Sequence, residues 1–121
     1  MIYAIEALGL SFIKFGRTQN IEHRLTSLQI GCPVQLAVLA TADWPNESEY
    51  VIHQLLADRR GLGEWFGVCD PVTRIVNQML QGHYTEFMED VVEYASSPNS
   101  RLKYWRYSPL RWSTTHTSVN T

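Results

Sequence analysis

The chain has 121 residues, 45% of them apolar, and a formal net charge of -2 at neutral pH. This length supports one hydrophobic core with little room for a second, so we expect a single domain, residues 1–96, followed by a tail. No long apolar run and no charged leader pattern is present, which predicts a soluble cytoplasmic protein without a membrane partner. The two cysteines, Cys32 and Cys69, lie far apart without metal-ligand spacing, which argues against a zinc site or a redox pair.

The chain opens with two β-rich runs separated by a glycine, residues 2–8 and 10–15. We expect a hairpin with a two-residue turn at Gly9-Leu10. In that register Tyr3 lies opposite Gly16, and Tyr3 and Lys14 share one face of the hairpin as diagonal neighbours. The glycine leaves an open place on the sheet beside the phenol.

Apolar periodicity predicts the remaining elements. Residues 21–29 form a helix capped by Thr18 or Asn20, and the nearly continuous apolar run over residues 34–40 is typical of a central strand covered on both faces. Three more helices follow, at residues 47–60 with Asn46 as N-cap, at 71–81 with Asp70 as N-cap, and at 84–95. The expected fold is α/β of the α+β type, with a small, mostly antiparallel three-stranded sheet flanked by helices in the order β-β-α-β-α-α and a further C-terminal helix.

Four polar side chains occupy positions where an ordinary surface residue is not expected: Tyr3, Lys14, Arg24 and Glu49. Arg24 borders the apolar stripe of the first helix, and Glu49 lies on the inward face of the second, whereas Glu47 is directed to solvent. Each residue also has a structural explanation, as a strand aromatic, an edge-strand charge, a rim residue or a helix-start carboxylate. A functional interpretation therefore depends on the four together.

The set resembles the GIY-YIG nucleases. In that family the first strand carries a tyrosine, the second strand ends in Tyr-Ile-Gly or Lys-Ile-Gly, and the next helix bears an arginine. The matching segments are Ile2-Tyr3, Lys14-Phe15-Gly16-Arg17-Thr18 and Arg24. The chain is similar in particular to the phage-associated subgroup with a Glu-x-x-x-His helix, here Glu49 and His53, and a Gly-Glu-Trp-Phe ending, here residues 63–66. The resemblance covers about residues 2–80, with Met1 in place of the glycine and Phe15 in place of the isoleucine.

The resemblance implies a prokaryotic or phage endonuclease that cuts nucleic acid, DNA favoured, with one Mg²⁺ or Mn²⁺ ion. Tyr3 would deprotonate the attacking water, and Lys14 would favour the phenolate or take part in proton transfer. Arg24 would contact the scissile phosphate, and Glu49 would bind the metal ion. His53 would assist the base, hold a phosphate or simply pack, and Arg17 is a candidate nucleic-acid contact. Residues 64–66 are assigned to packing and local structure.

The tail, residues 97–121, differs in character from the domain. Residues 101–112 are basic and aromatic without any acid, and the helix before them is acidic. We expect this segment either to bind nucleic acid or to pack back on the domain through its aromatic rings. Its candidate nucleic-acid contacts are Arg101, Lys103, Trp105, Arg106 and Arg111. Two other functions remain open: a catalytically inactive nucleic-acid-binding module, and a subunit that docks on a protein partner or on a second copy of the chain.

Overall fold

The computed structural model describes residues 1–59, 61 and 63–96. They form the expected mixture of sheet and helices, but the sheet has four strands, all antiparallel, and not three. The strands are β1 Ile2–Ala7, β2 Phe12–Arg17, β3 Leu36–Ala42 and β4 Trp65–Gly67, in the order β3-β1-β2-β4. The helices are α1 Ile21–Gln29, α2 Glu47–Leu55, α3 Asp70–Gln81 and α4 Tyr84–Ala95, with a 3-10 turn, Ala57–Arg59, after α2. None of the described helices is long and apolar enough to span a bilayer.

The β1–β2 hairpin has the predicted register and a longer turn. Tyr3 pairs with Gly16, which confirms that Tyr3 and Lys14 lie on the same face. Residues 8–11 connect the strands in place of a two-residue turn, and the backbone N–H of residue 8 donates to the carbonyl of Gln35, just before β3. Gly9 adopts the left-handed conformation, with φ at 84°, that a glycine allows without strain.

The prediction that β3 is a central strand is wrong. β1 and β2 occupy the middle of the described sheet, and β3 lies at its edge beside β1. Its apolar character arises because helices contact both of its faces, α1 on one and α3 on the other. Leu36 belongs to the apolar cluster under α1, whereas Ala40 and Ala42 belong to the larger core.

The segment after α2 also differs from the prediction. The expected helix through residue 60 ends at Leu55, and the Trp65-Phe66 pair, assigned to local packing, forms β4. The N–H of Gly61 donates to the carbonyl of Trp65 over 2.6 Å, which turns the chain back toward the sheet. Trp65 then pairs with Lys14 in β2, and Phe66 is fully buried. The short strand thereby completes the sheet beside β2.

The sheet separates two apolar clusters. On one face α1 covers Tyr3, Ile5 and Ala7 with side chains that are only half-buried. On the other face α2, α3 and α4 enclose the larger core, which includes Phe66 and Phe87. Tyr3 and Lys14 therefore face α1, whereas α2, which carries Glu49 and His53, belongs to the opposite layer. The two layers meet at the end of β2 that carries Gly16.

Most helix ends follow local rules. Asn20 is the residue that caps α1, because its side chain accepts the N–H of His23 over 3.0 Å. Asn46 precedes α2 without capping it through its side chain, and Cys69 takes the N-cap position of α3 that was predicted for Asp70. Gly82 ends α3 in the left-handed conformation, as its position between two helices predicts.

Candidate active site

Tyr3, Gly16 and Arg24 form the centre of the candidate site. The ring of Tyr3 lies across Gly16, since a Cβ atom at residue 16 would overlap the phenol oxygen and the ring. Tyr3 is fully buried, and the Nε–H of Arg24 donates a hydrogen bond to its oxygen over 3.3 Å. The phenol of Tyr3 thus fills the open position that the sequence predicts beside Gly16. Helix α1 places Arg24 next to the phenol oxygen.

Gly16→Ala should disrupt this centre. The added methyl group overlaps the phenol, so the ring or the strand must shift, which costs about 1–3 kcal/mol of folding free energy. A shifted phenol also loses its bond to Arg24. Gly67→Ala is the matched control, because a Cβ atom at that position in β4 meets nothing within 4 Å. Urea unfolding of both variants measures the difference, and equal stability would contradict the close approach of Tyr3 to the strand.

Lys14 is buried on the same face and is paired with Glu64. Its Nζ lies 2.5 Å from Oε2 of Glu64, the residue immediately before β4. The lysine side chain is 10% exposed, whereas the glutamate side chain is 65% exposed. An ammonium with so little hydration is costly to bury without a counter-charge, and Glu64 supplies it.

Glu49 lies at the start of α2, half-buried, while Glu47 is exposed, as the helical periodicity predicts. None of the ion pairs formed between described residues involves Glu49. A half-buried carboxylate without an ion pair suits a hard cation such as Mg²⁺, which takes one or two carboxylates and keeps several waters. Among the described residues there is no group of three or more His, Cys, Asp or Glu side chains that could hold a metal ion.

Arg24 is hydrogen-bonded to the phenol and is influenced by the charges of both carboxylates. Its pKa is raised above the ordinary value, first by the hydrogen bond with Tyr3 and by the electrostatic effect of the phenol, and then by the charges of Glu49 and Glu64. Both carboxylates therefore lie within electrostatic reach of one guanidinium. Since Lys14 is bonded to Glu64 and shares the face of Tyr3, all five side chains belong to one constellation.

His53 connects α2 to β2. Its Nε2 lies 3.0 Å from the carbonyl oxygen of Phe15, and its ring meets Phe66 edge-on, with the ring centroids 5.2 Å apart. A carbonyl only accepts, so Nε2 carries the proton and donates. Phe15 lies just beyond the residues of β2 that pair with β4. Of the alternatives left open by the sequence, this contact favours a packed histidine, one that holds the helix bearing Glu49 against the sheet.

The other predicted contacts are not part of this constellation. Arg17 is exposed at the end of β2, on the face opposite Lys14. The predicted contacts in the tail lie outside the described residues: Arg101, Lys103, Trp105, Arg106 and Arg111.

The sequence interpretation assigned Glu64 to packing and local structure and did not predict its ion pair with Lys14. Its signal was the Trp-Phe-Gly run that follows it, since two aromatic residues before a glycine are typical of a short strand. Pairing of that strand with β2 brings Glu64 to Lys14.

Comparison of the chain with protein-family models, with curated proteins and with solved structures finds no match. Function is therefore inferred from the geometry of these side chains and from the motifs that carry them.

Proposed function

We propose that the chain is a metal-dependent endonuclease of the GIY-YIG type, which hydrolyses phosphodiester bonds of nucleic acid with DNA as the favoured substrate. The observation that carries the proposal is the hydrogen bond from Arg24 to Tyr3, because it joins a phosphate-binding cation to a group able to act as a base. Lys14 shares the face of Tyr3, and Glu49 lies within electrostatic reach of Arg24. The four residues come from β1, β2, α1 and α2, so only the fold brings them together.

Phosphodiester hydrolysis requires an activated water, positive charge near the non-bridging oxygens and a proton for the leaving oxygen. Arg24 has five N–H donors in a planar fork, which suits two phosphate oxygens at once. The phenol of Tyr3 accepts a hydrogen bond from this cation, which places the proposed base beside the phosphate-binding guanidinium. Because Tyr3 is fully buried, proton transfer from water to this base requires that water gain access to the phenol oxygen.

Glu49 would hold the metal ion, one Mg²⁺ or Mn²⁺. When bound, such an ion supplies charge stabilisation at the phosphate and lowers the pKa of a coordinated water. The contribution of the chain is to position the carboxylate: His53 holds α2 on β2, and the first turn of α2 presents Glu49 toward Arg24. Lys14, on the face of Tyr3, would add positive charge or take part in proton transfer.

A cleavage assay tests the proposal directly. Plasmid and single-stranded DNA are incubated with the protein while Mg²⁺ or Mn²⁺ is titrated, and products are followed on gels. We expect cleavage that depends on the divalent ion and that chelation abolishes. An RNA substrate of the same sequence tests the preference for DNA. No cleavage of any of these substrates under any metal condition would overturn the proposal.

The complete burial of Tyr3 favours a second candidate, a nucleic-acid-binding module on the same scaffold that does not cleave. In such a module Arg24 and Tyr3 would be a structural pair that joins α1 to β1. Binding of nucleic acid that is independent of divalent metal, together with no cleavage, would support this candidate over the first.

The charge distribution indicates where substrate would first be held. All twelve acidic residues precede residue 97, whereas four of the ten basic residues follow it. Around the candidate site the domain offers only a few cations, so a polyanion needs further contacts. The basic aromatic segment, residues 101–112, is the source we propose, with cations on phosphates and rings stacked on bases.

A truncation ending at Asn99 tests that role of the tail. If residues 101–112 bind substrate, the truncated protein should melt at nearly the same temperature and bind DNA more weakly, with a shallower dependence of affinity on salt, because fewer phosphates are neutralised. Thermal melts and salt titrations of fluorescence anisotropy measure both. A melting temperature well below that of the full chain, or aggregation, would show that the segment packs on the domain.

A further inference from the structure

The ion pair between Lys14 and Glu64 is unequal in exposure. The ammonium belongs to a central strand and is nine-tenths buried, whereas the carboxylate precedes an edge strand and is about two-thirds exposed. On leaving, the carboxylate would regain hydration, whereas the buried ammonium would be left without a counter-charge. The ammonium cannot leave in the same way, and it requires an anion beside it in every state of the site.

The same carboxylate acts on the second cation of the site. Arg24 is influenced by the charge of Glu64 as well as by that of Glu49, so Glu64 lies within electrostatic reach of both groups that would attract a phosphate. An anion that approaches Lys14 and Arg24 therefore meets a negative charge already in place. In the proposed function Arg24 contacts the substrate phosphate and Lys14 adds positive charge beside it, so this carboxylate competes with the substrate itself.

We propose that Glu64 is an internal competitor for the phosphate site: it occupies Lys14 in the free protein and is displaced into solvent when a nucleic-acid phosphate binds. The proposal rests on the function proposed above and deepens it, because it names the residue that sets the affinity of the site for anions. A phosphate that engages both Lys14 and Arg24 replaces the carboxylate, whereas a weakly bound anion does not. Glu64 thus lowers binding of nonspecific anions at the expense of substrate affinity.

Glu64→Gln tests the proposal, with Glu47→Gln as the matched control. Both changes remove one negative charge, but Glu47 is exposed and belongs to none of the described ion pairs. The probes are a short fluorescent oligonucleotide, followed by anisotropy without divalent metal, and inorganic phosphate, followed by thermal shift. We expect Glu64→Gln to bind both probes about two- to fivefold more tightly than wild type, and more tightly than Glu47→Gln, with the difference shrinking at high salt.

A measurement on the wild-type protein keeps the test independent of how the variant folds. Side-chain carboxyl signals of labelled glutamates are recorded by NMR, and the signal of Glu64 is identified by its absence in Glu64→Gln. Addition of inorganic phosphate should shift the signal of Glu64 and leave that of Glu47 in place. If the oligonucleotide binds while the signal of Glu64 stays fixed, the proposal is wrong.

The outcomes separate this inference from the proposed function. If the wild-type protein cleaves DNA and Glu64→Gln binds both probes with unchanged or weaker affinity, Glu64 is not a competitor and the nuclease proposal stands. If Glu64→Gln binds phosphate more tightly and the wild type cleaves nothing, the anion site stands and the nuclease proposal fails. A loss of kcat in Glu64→Gln without tighter binding would show that Glu64 orients Lys14, and would overturn the competitor role.

Discussion

Glu49→Ala should remove nearly all cleavage and leave the fold intact. In the proposed mechanism the carboxylate holds the divalent ion, and loss of that ligand removes charge stabilisation worth several kcal/mol, or about a thousandfold in rate. Folding should be unaffected, since Glu49 is only half-buried and forms none of the described ion pairs. Single-turnover cleavage rates, with thermal melts of the same samples, measure both effects.

Glu47→Ala is the control for that result. Glu47 lies two residues away on the same helix and is exposed, so its removal changes the net charge equally without touching the site. Its cleavage rate should stay close to that of wild type, and its stability within a few tenths of a kcal/mol, roughly the usual effect of a surface substitution. If Glu49→Ala cuts as fast as Glu47→Ala, the assignment of the metal site is wrong.

Arg24→Ala should reduce cleavage about 100- to 1000-fold, because removal of one preorganised donor to a developing charge typically has that effect. The variant also loses the hydrogen bond to Tyr3, so the phenol loses its contact with α1. Arg24→Lys retains the charge and loses the planar fork, and we expect it to recover only part of the rate. Rates at saturating substrate, measured beside binding by anisotropy, separate catalysis from affinity.

Two further variants test whether the loss of cleavage rate is specific to the candidate site. Arg17→Ala removes the same charge from an exposed position on the other face of β2, and should weaken binding modestly with little change in the rate at saturation. Tyr3→Phe keeps the ring over Gly16 and loses the oxygen, so the rate should fall far more than affinity. A rate for Arg24→Ala equal to that of Arg17→Ala would mean that the guanidinium does not contact the reacting phosphate.

The sequence by itself determined the hairpin register, because a turn centred on Gly9-Leu10 between two β-rich runs fixes which residues lie opposite each other. That register, confirmed in the structure, already brings Tyr3 opposite Gly16 and on the face of Lys14. Helical periodicity likewise separated the half-buried Glu49 from the exposed Glu47. In each case the interactions are local, so residue spacing is enough to fix them.

Only the tertiary structure decided which groups from distant elements meet. The sequence did not predict the edge position of β3. An apolar strand that helices cover on both faces has the same sequence pattern at the edge of a sheet as in its centre. A three-residue strand such as β4 is too short for periodicity to detect. Its pairing with β2, and the bond that Lys14 donates to Glu64, depend on contacts between residues about fifty positions apart. The bond of His53 to the carbonyl of Phe15 has the same origin, since it exists only after α2 has docked against the end of β2.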